Sequence, residues 1–212
     1  MKLNRSVLLM VACLLAIAPT AFARLTASSA FSNAPASVFP LLERNTRLDM
    51  IDYFNSGSKT ASQNSLQGKS RVTALSPDML SFTMTDASSY DIIVLSSGND
   101  SIIAVIQTLA TPAHDSNITF YSRKWEKLNN SGYFVQPTTS DWLSPQGKKA
   151  SVNLEALIPF MLVSYTYDPA TEKLTLTNNM AEFLSPDVYS MVSDALLPTI
   201  TYRWTGTKME KQ

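Results

Sequence analysis

Met79 to Ala110 reads MLSFTMTDASSYDIIVLSSGNDSIIAVIQTLA, and the way its apolar residues alternate decides the fold. In MLSFTMT, Leu80, Phe82 and Met84 alternate with Ser81, Thr83 and Thr85, the period-two pattern of a half-buried strand. The polar breaks at Asp86 to Ser89 and Ser97 to Asp100 are too short for a crossover helix, so the strands they join run antiparallel as hairpins. YDIIVLS continues the series. SIIAVIQTLA is apolar on both faces, which places it centrally in a sheet, covered on one side by a helix and on the other by more protein.

The cover has to come from the flanking sequence. Upstream, after a Ser/Ala-rich lead-in from Thr26 to Ala36, SVFPLLERNTRLDMIDYFNSG (37–57) spaces Val38, Leu41, Leu48, Ile51 and Phe54 as one helical face, with Gly57 as C-terminal cap and Glu43 paired to Arg47 across one turn. SRVTALS (70–76) is the next strand. Downstream, NITFYSRKW (117–125) continues the strands, and then the pattern dissolves into a long polar loop from Asn129 to Lys149. A short helix at Val152 to Phe160 leads into LVSYTYDPATEKLTLTN (162–178), a hairpin turning at Asp168-Pro169. A third helix has Ser185 as N-cap, Pro186 at its first position, Asp187 in its first turn, and Val188, Met191, Val192 and Ala195 on one stripe. TITYRWTG (199–206) closes the chain with Ile200, Tyr202 and Trp204 on one face. The expected fold is α+β, one domain over residues 24–212, with a largely antiparallel β-sheet packed against about three α-helices.

The first 23 residues, MKLNRSVLLMVACLLAIAPTAFA, place Lys2 and Arg5 before an uncharged apolar run that ends on Ala21-Phe22-Ala23. This is the three-part pattern of a signal peptide, so residues 1–23 are expected to be removed and the exported chain to begin at Arg24, in the periplasm or at the cell surface. A single-pass anchor is the alternative, although Pro19 and Thr20 interrupt the run. Acylation at Cys13 is another, although apolar residues continue well beyond it.

Removal of that segment takes Lys2, Arg5 and Cys13 with it and leaves 189 residues carrying 15 basic and 17 acidic side chains. A near-neutral chain without a Lys/Arg cluster lacks the footprint of nucleic-acid binding. Without cysteine it has no disulfide, thiolate nucleophile or thiolate metal site. No phosphate-binding glycine loop, Gly-x-Ser-x-Gly elbow or His-Glu-x-x-His occurs, and no cofactor or metal is expected.

Four stretches, FPLLERNTRLDMIDYF (39–54), TPAHDSNITFYSRKW (111–125), LVSYTYDP (162–169) and YRW (202–204), resemble in order and spacing the motifs of an uncharacterised exported protein family of Bacteroidales, domain-of-unknown-function family 3256. The resemblance implies a bacterial source and a cell-envelope address. It brings no activity, ligand or catalytic residue.

Three groups of residues remain as candidate sites. His114-Asp115-Ser116 contains the only histidine, but three consecutive side chains do not converge as a catalytic set does, and the expected role is a turn in which Asp115 accepts backbone N–H groups. Asn45, Asp49 and Asp52 share a helix face; a secreted hydrolase whose carboxylate acid/base pair includes Asp49, Asp52 or Asp115 is the alternative function. Tyr133, Phe134 and Trp142 stand in the long loop, where aromatics either present a binding surface or fold back over an open end of the core. The expectation is partial exposure and a binding role, in a non-catalytic module whose partner is an envelope protein or a glycan.

Overall fold

The computed structural model describes residues 24–149 and 158–212. The expected signal peptide lies outside the described residues, as does most of the expected helix at 152–160, of which Pro159 and Phe160 are not helical. Two antiparallel sheets carry the fold. The first is a six-stranded meander, ordered along the chain: β1 (Ser62–Gln63), β2 (Lys69–Leu75), β3 (Met79–Thr85), β4 (Ser88–Ser97), β5 (Asp100–Leu109) and β6 (Asp115–Ser122). The second has β7 (Val163–Asp168), β8 (Lys173–Asn178), β9 (Thr199–Trp204) and β10 (Met209–Lys211), in the order β10-β9-β8-β7. The expected α+β class and antiparallel pairing hold, but the strands are divided between two sheets.

The central strands show why. On β4 and β5, Ile92, Val94, Ile103 and Val105 point to one side, and Ile93, Leu95, Ile102, Ala104 and Ile106 to the other. Burying both faces requires a layer on each. One layer is helical, α1 (Ala27–Asn33) and α2 (Arg44–Asn55), whose Phe31 and Met50 pack on Phe82 and its neighbours together with Leu42 from the segment between them. Phe31 lies 4.7 Å and Phe39 5.4 Å, centroid to centroid, from Phe82. The other layer is the second sheet, whose Tyr165, Tyr167, Leu174, Leu176, Ile200 and Trp204 fill the space beneath β4 to β6. Each fully buried large side chain contributes roughly 1.5–3 kcal/mol.

The helical layer departs from expectation at its start. The Ser/Ala-rich lead-in contains α1, because Thr26 and Ser29 form a reciprocal capping box: each hydroxyl accepts the other's backbone N–H at 3.2 Å. The following helix begins at Arg44, six residues beyond Val38, since Pro40 has no N–H to donate and its ring obstructs a continuous helix. Residues 37–42 instead make successive turns. The C-terminal end is as expected: Gly57 takes φ of 70°, its N–H reaches Phe54 O at 3.0 Å, and Ser58 N–H reaches Tyr53 O at 2.9 Å, a Schellman cap.

Arg47 is not paired with Glu43. It is 3% exposed and donates from Nη1 to Phe31 O at 3.0 Å, joining α2 to α1, while Nε has no partner among the described residues. Burial and the nearby Arg44 hold its pKa below the usual arginine value. Farther along, α3 (Pro145–Lys149) and α4 (Met180–Phe183) are short, and α5 (Pro186–Val192) has the expected Ser185 cap, accepting from Val188 N–H at 3.4 Å. Its expected stripe fails: Val192 and Ala195 are buried, but Val188 is exposed and Met191 is 76% exposed. Both exposed members precede the 3-10 turn at Ser193–Ala195, and the side of the regular helix that meets the inter-sheet core carries Tyr189 and Val192 instead.

Candidate functional site

The segment His114-Asp115-Ser116 is not the local turn its composition implies. Asp115 opens β6, and its Oδ1 accepts the N–H of Val163, at the free edge of β7, at 3.1 Å. Ser116 Oγ accepts the next outward N–H, that of Tyr165, at 3.0 Å and shares a hydrogen bond of 2.8 Å with Thr108 Oγ1. His114 contributes its backbone, whose carbonyl accepts from Asn179 Nδ2 at 2.6 Å. Its ring is exposed, 3.8 Å from the Glu182 carboxylate. The three residues bracket one sheet to the other at the corner where β6 meets β7. Trp204 Nε1 makes a second tie between the sheets, donating to Ser96 O at 2.7 Å.

The loop aromatics take the second of their two expected roles. Trp142 is 1% and Phe134 5% exposed, and Phe134 packs edge-on against Tyr202 with centroids 5.1 Å apart. Both rings close the inter-sheet core. The expected exposure is confined to Tyr133, half-buried and stacked on Phe120 at 5.3 Å. The surrounding loop is pinned rather than open: Asn130 receives Phe120 N–H at 3.1 Å and donates to Ile118 O at 2.8 Å, so one amide side chain stands in for a neighbouring strand along β6.

Asn45, Asp49 and Asp52 lie on the exposed face of α2, and neither aspartate joins an ion pair among the described residues. Asp115 is occupied with β7. Among the described residues no three His, Cys, Asp or Glu side chains come together as metal ligands.

What the structure does bring together is a polar row that the sequence reading passed over. The strand register aligns Arg71 on β2 with Thr83 on β3, Thr83 with Ser89 on β4, Ser89 with Thr108 on β5, and Thr108 with Ser116 on β6. All five share the face that carries the second sheet. Exposure rises along the row, from buried Ser116 through half-buried Thr108, Ser89 and Thr83 to exposed Arg71, which marks where the second sheet stops and leaves β2 and the Thr83–Thr85 end of β3 without cover among the described residues. Over that uncovered part lies a trough of two joined clefts. One, of about 390 Å³, is lined by Ala61, Lys69, Arg71, Thr83, Thr85 and Asp86. The other, of about 190 Å³, shares Thr83, Thr85 and Asp86 and runs on past Ser88, Ser89 and Thr108 to His114. Lys69 and Arg71 form no ion pair among the described residues. The signal was present in the sequence as the polar half of each alternation, but only the register shows that these halves align.

Asp91 stands one pleat along from Ser89 on the same face, half-buried and opposite Ser81. Desolvation pushes its carboxyl above the ordinary carboxylate range, with the Ser81 hydroxyl acting in the opposite direction. Burial likewise raises the Tyr165 and Tyr167 phenols, with Asp115 adding to the first and Glu172 to the second.

A family described as a protein of unknown function (DUF3256) matches residues 22–209. No curated protein matches. Among solved structures, a domain of an uncharacterised protein from Porphyromonas gingivalis W83 is similar with a TM-score of 0.74 over 87% of this chain and 96% of that one, at 20% sequence identity. That likeness supports the fold.

Proposed function

The chain belongs to the DUF3256 family of proteins of unknown function, and from that premise we propose that it is an exported cell-envelope protein that works by binding rather than by catalysis. Export is supported by the charged, apolar and small-x-small succession of residues 1–23. The binding reading rests on the trough: cations that form no ion pair among the described residues and a row of hydroxyls gathered from successive strands, on a sheet face that the other described residues leave open. A rigid sheet holds such groups in fixed register, and preorganised polar groups bind at a lower entropic cost than groups on a mobile loop. The carboxylates considered for a hydrolase are engaged elsewhere or dispersed over an exposed helix face, whereas acid/base chemistry needs them converging in one cleft.

Backbone amide shifts of the mature chain, followed by NMR as soluble envelope extract is added, test this reading. The expected result is a set of shifts confined to β2, β3 and the adjoining ends of β4 and β5. Shifts confined to the four-stranded sheet, or none at all, would sink it.

A further inference from the structure

Resting on the trough as the binding surface, we infer that its ligand is an acidic glycan, a sugar chain carrying sulfate or carboxylate groups, with an acidic group seated at Lys69 and Arg71 and successive hydroxyls along Thr83, Ser89 and Thr108. Lys69 and Arg71 alternate on β2, so both project from one face about 7 Å apart, twice the rise per residue. Two cations at that separation, without ion pairs among the described residues, bridge one oxyanion or two neighbouring ones, and the arginine supplies a planar fork suited to a sulfate or carboxylate. From there the row crosses the strands, one residue per strand about 4.8 Å apart. An extended sugar chain advances by a similar step, so each ring meets a fresh side chain.

The donors are available. Ser89 makes no side-chain hydrogen bond among the described residues, and Thr83 makes one of 3.5 Å to Arg71 O, too long to be strong. Thr108 keeps a lone pair beyond its bond to Ser116. Asp86, at the junction of the two clefts, repels an anion placed beside it and accepts from sugar hydroxyls, which confines the acidic group to the β2 end. Among the described residues no phenylalanine, tyrosine or tryptophan lines either cleft, so the recognition chemistry is charge and hydrogen bonding rather than the ring stacking a neutral sugar needs.

The test is calorimetric titration of the mature chain with four probes: dextran sulfate oligosaccharide, oligogalacturonate, unmodified dextran of the same length, and inorganic sulfate. Binding is expected for at least one acidic oligosaccharide, with whichever of the two binds tighter naming the anion. Dextran should not bind, and inorganic sulfate only far more weakly. Arg71→Gln and Lys69→Gln should each weaken binding about tenfold or more, as expected for a lost charge-assisted hydrogen bond, and Thr83→Val should weaken it further without changing the melting temperature. Lys124→Gln, an exposed lysine outside the trough, should have no effect.

Equal loss in Lys124→Gln, or equally tight binding of a single-stranded oligonucleotide of matched charge, would mean undirected attraction and overturn the inference. If envelope extract shifts the trough amides while neither acidic oligosaccharide binds, the glycan assignment falls and the binding reading stands. If neither occurs, both fall.

Discussion

Ser116 and His114, two residues apart, carry opposite expectations for mutation. Ser116→Ala removes the acceptor of Tyr165 N–H and leaves that donor buried between the sheets, which costs about 1–3 kcal/mol. His114→Ala removes only an exposed ring beside an exposed carboxylate and should shift stability by less than about 0.5 kcal/mol. Urea melts of the two variants check the ranking; a larger loss at His114 would place the bracket in the imidazole rather than in the hydroxyl. Asp91 provides a pH test. Because its folded carboxyl is raised above the unfolded value, its contribution is fully present below the ordinary carboxylate range and is lost as pH rises through the raised one. Asp91→Asn lifts that penalty, so the variant should be more stable than wild type at neutral pH, with the difference shrinking as the pH falls; a difference that is constant with pH would count against burial of the charge. Neither role was legible in the sequence. Asp115 and Ser116 read as turn residues because local composition says nothing about a partner 48 or 49 residues away, and Asp91 read as one more polar position in an alternating strand.

Elements were legible where a local rule governs them. The hairpins from β3 to β5, the Asp168-Pro169 turn and the caps at Gly57 and Ser185 depend on period two or on a single capping residue, and each lies where the pattern put it. The failures come where a local rule met a competitor: α1 because serine replaces the usual Glu or Gln in its capping box, α2 because Pro40 outweighs an unbroken apolar stripe, α5 because the side that meets the core carries Tyr189 and Val192 rather than Val188 and Met191. The long loop concealed α3 altogether. Its packing yields a prediction at Gly147, where an added Cβ would stand 2.6 Å from Ala195 O and 3.1 Å from Ala195 Cα. That carbonyl already accepts Ser144 N–H at 2.8 Å, and Leu143 bridges to Leu196, so the backbone opposite cannot withdraw without giving up both contacts. Gly147→Ala should therefore cost about 1–3 kcal/mol, the range of overpacked sites. Gly132, with open space around its Cβ position, is the control, and equal melts for the two alanine variants would show that α3 is free to move.

Across the whole molecule, the two-faced apolar pattern of SIIAVIQTLA carried the most information, because it demands cover on both sides and the three layers follow from it. The identity of the second cover was hidden, since a sheet built from residues 163–211 announces only its own hairpins and not the face it will meet. The trough shares that limit: a polar alternation reads as solvent-facing whether the face is vacant or waits for a ligand. The layering does predict how the protein unfolds. β4 and β5 supply side chains to both cores, so neither the helical layer nor the second sheet can separate without uncovering apolar surface on the same two strands. Chains longer than about 150 residues often lose two-state behaviour, which makes a single transition informative here. The three tryptophans report it by layer: Trp125 packs against Phe39 on the helical side, at 6.2 Å between centroids, whereas Trp142 and Trp204 sit in the inter-sheet core. A variant keeping only Trp125 (Trp142→Phe with Trp204→Phe) and one keeping Trp142 and Trp204 (Trp125→Phe) should each melt in urea with a fluorescence midpoint that coincides with its own far-ultraviolet dichroism midpoint. The first variant will melt earlier, since it loses buried volume and the indole donor to Ser96 O, so the comparison is made within each variant. A fluorescence midpoint that precedes the dichroism midpoint in the Trp125 variant would mean that the helical layer detaches first and that β4 and β5 do not bind the two cores into one cooperative unit.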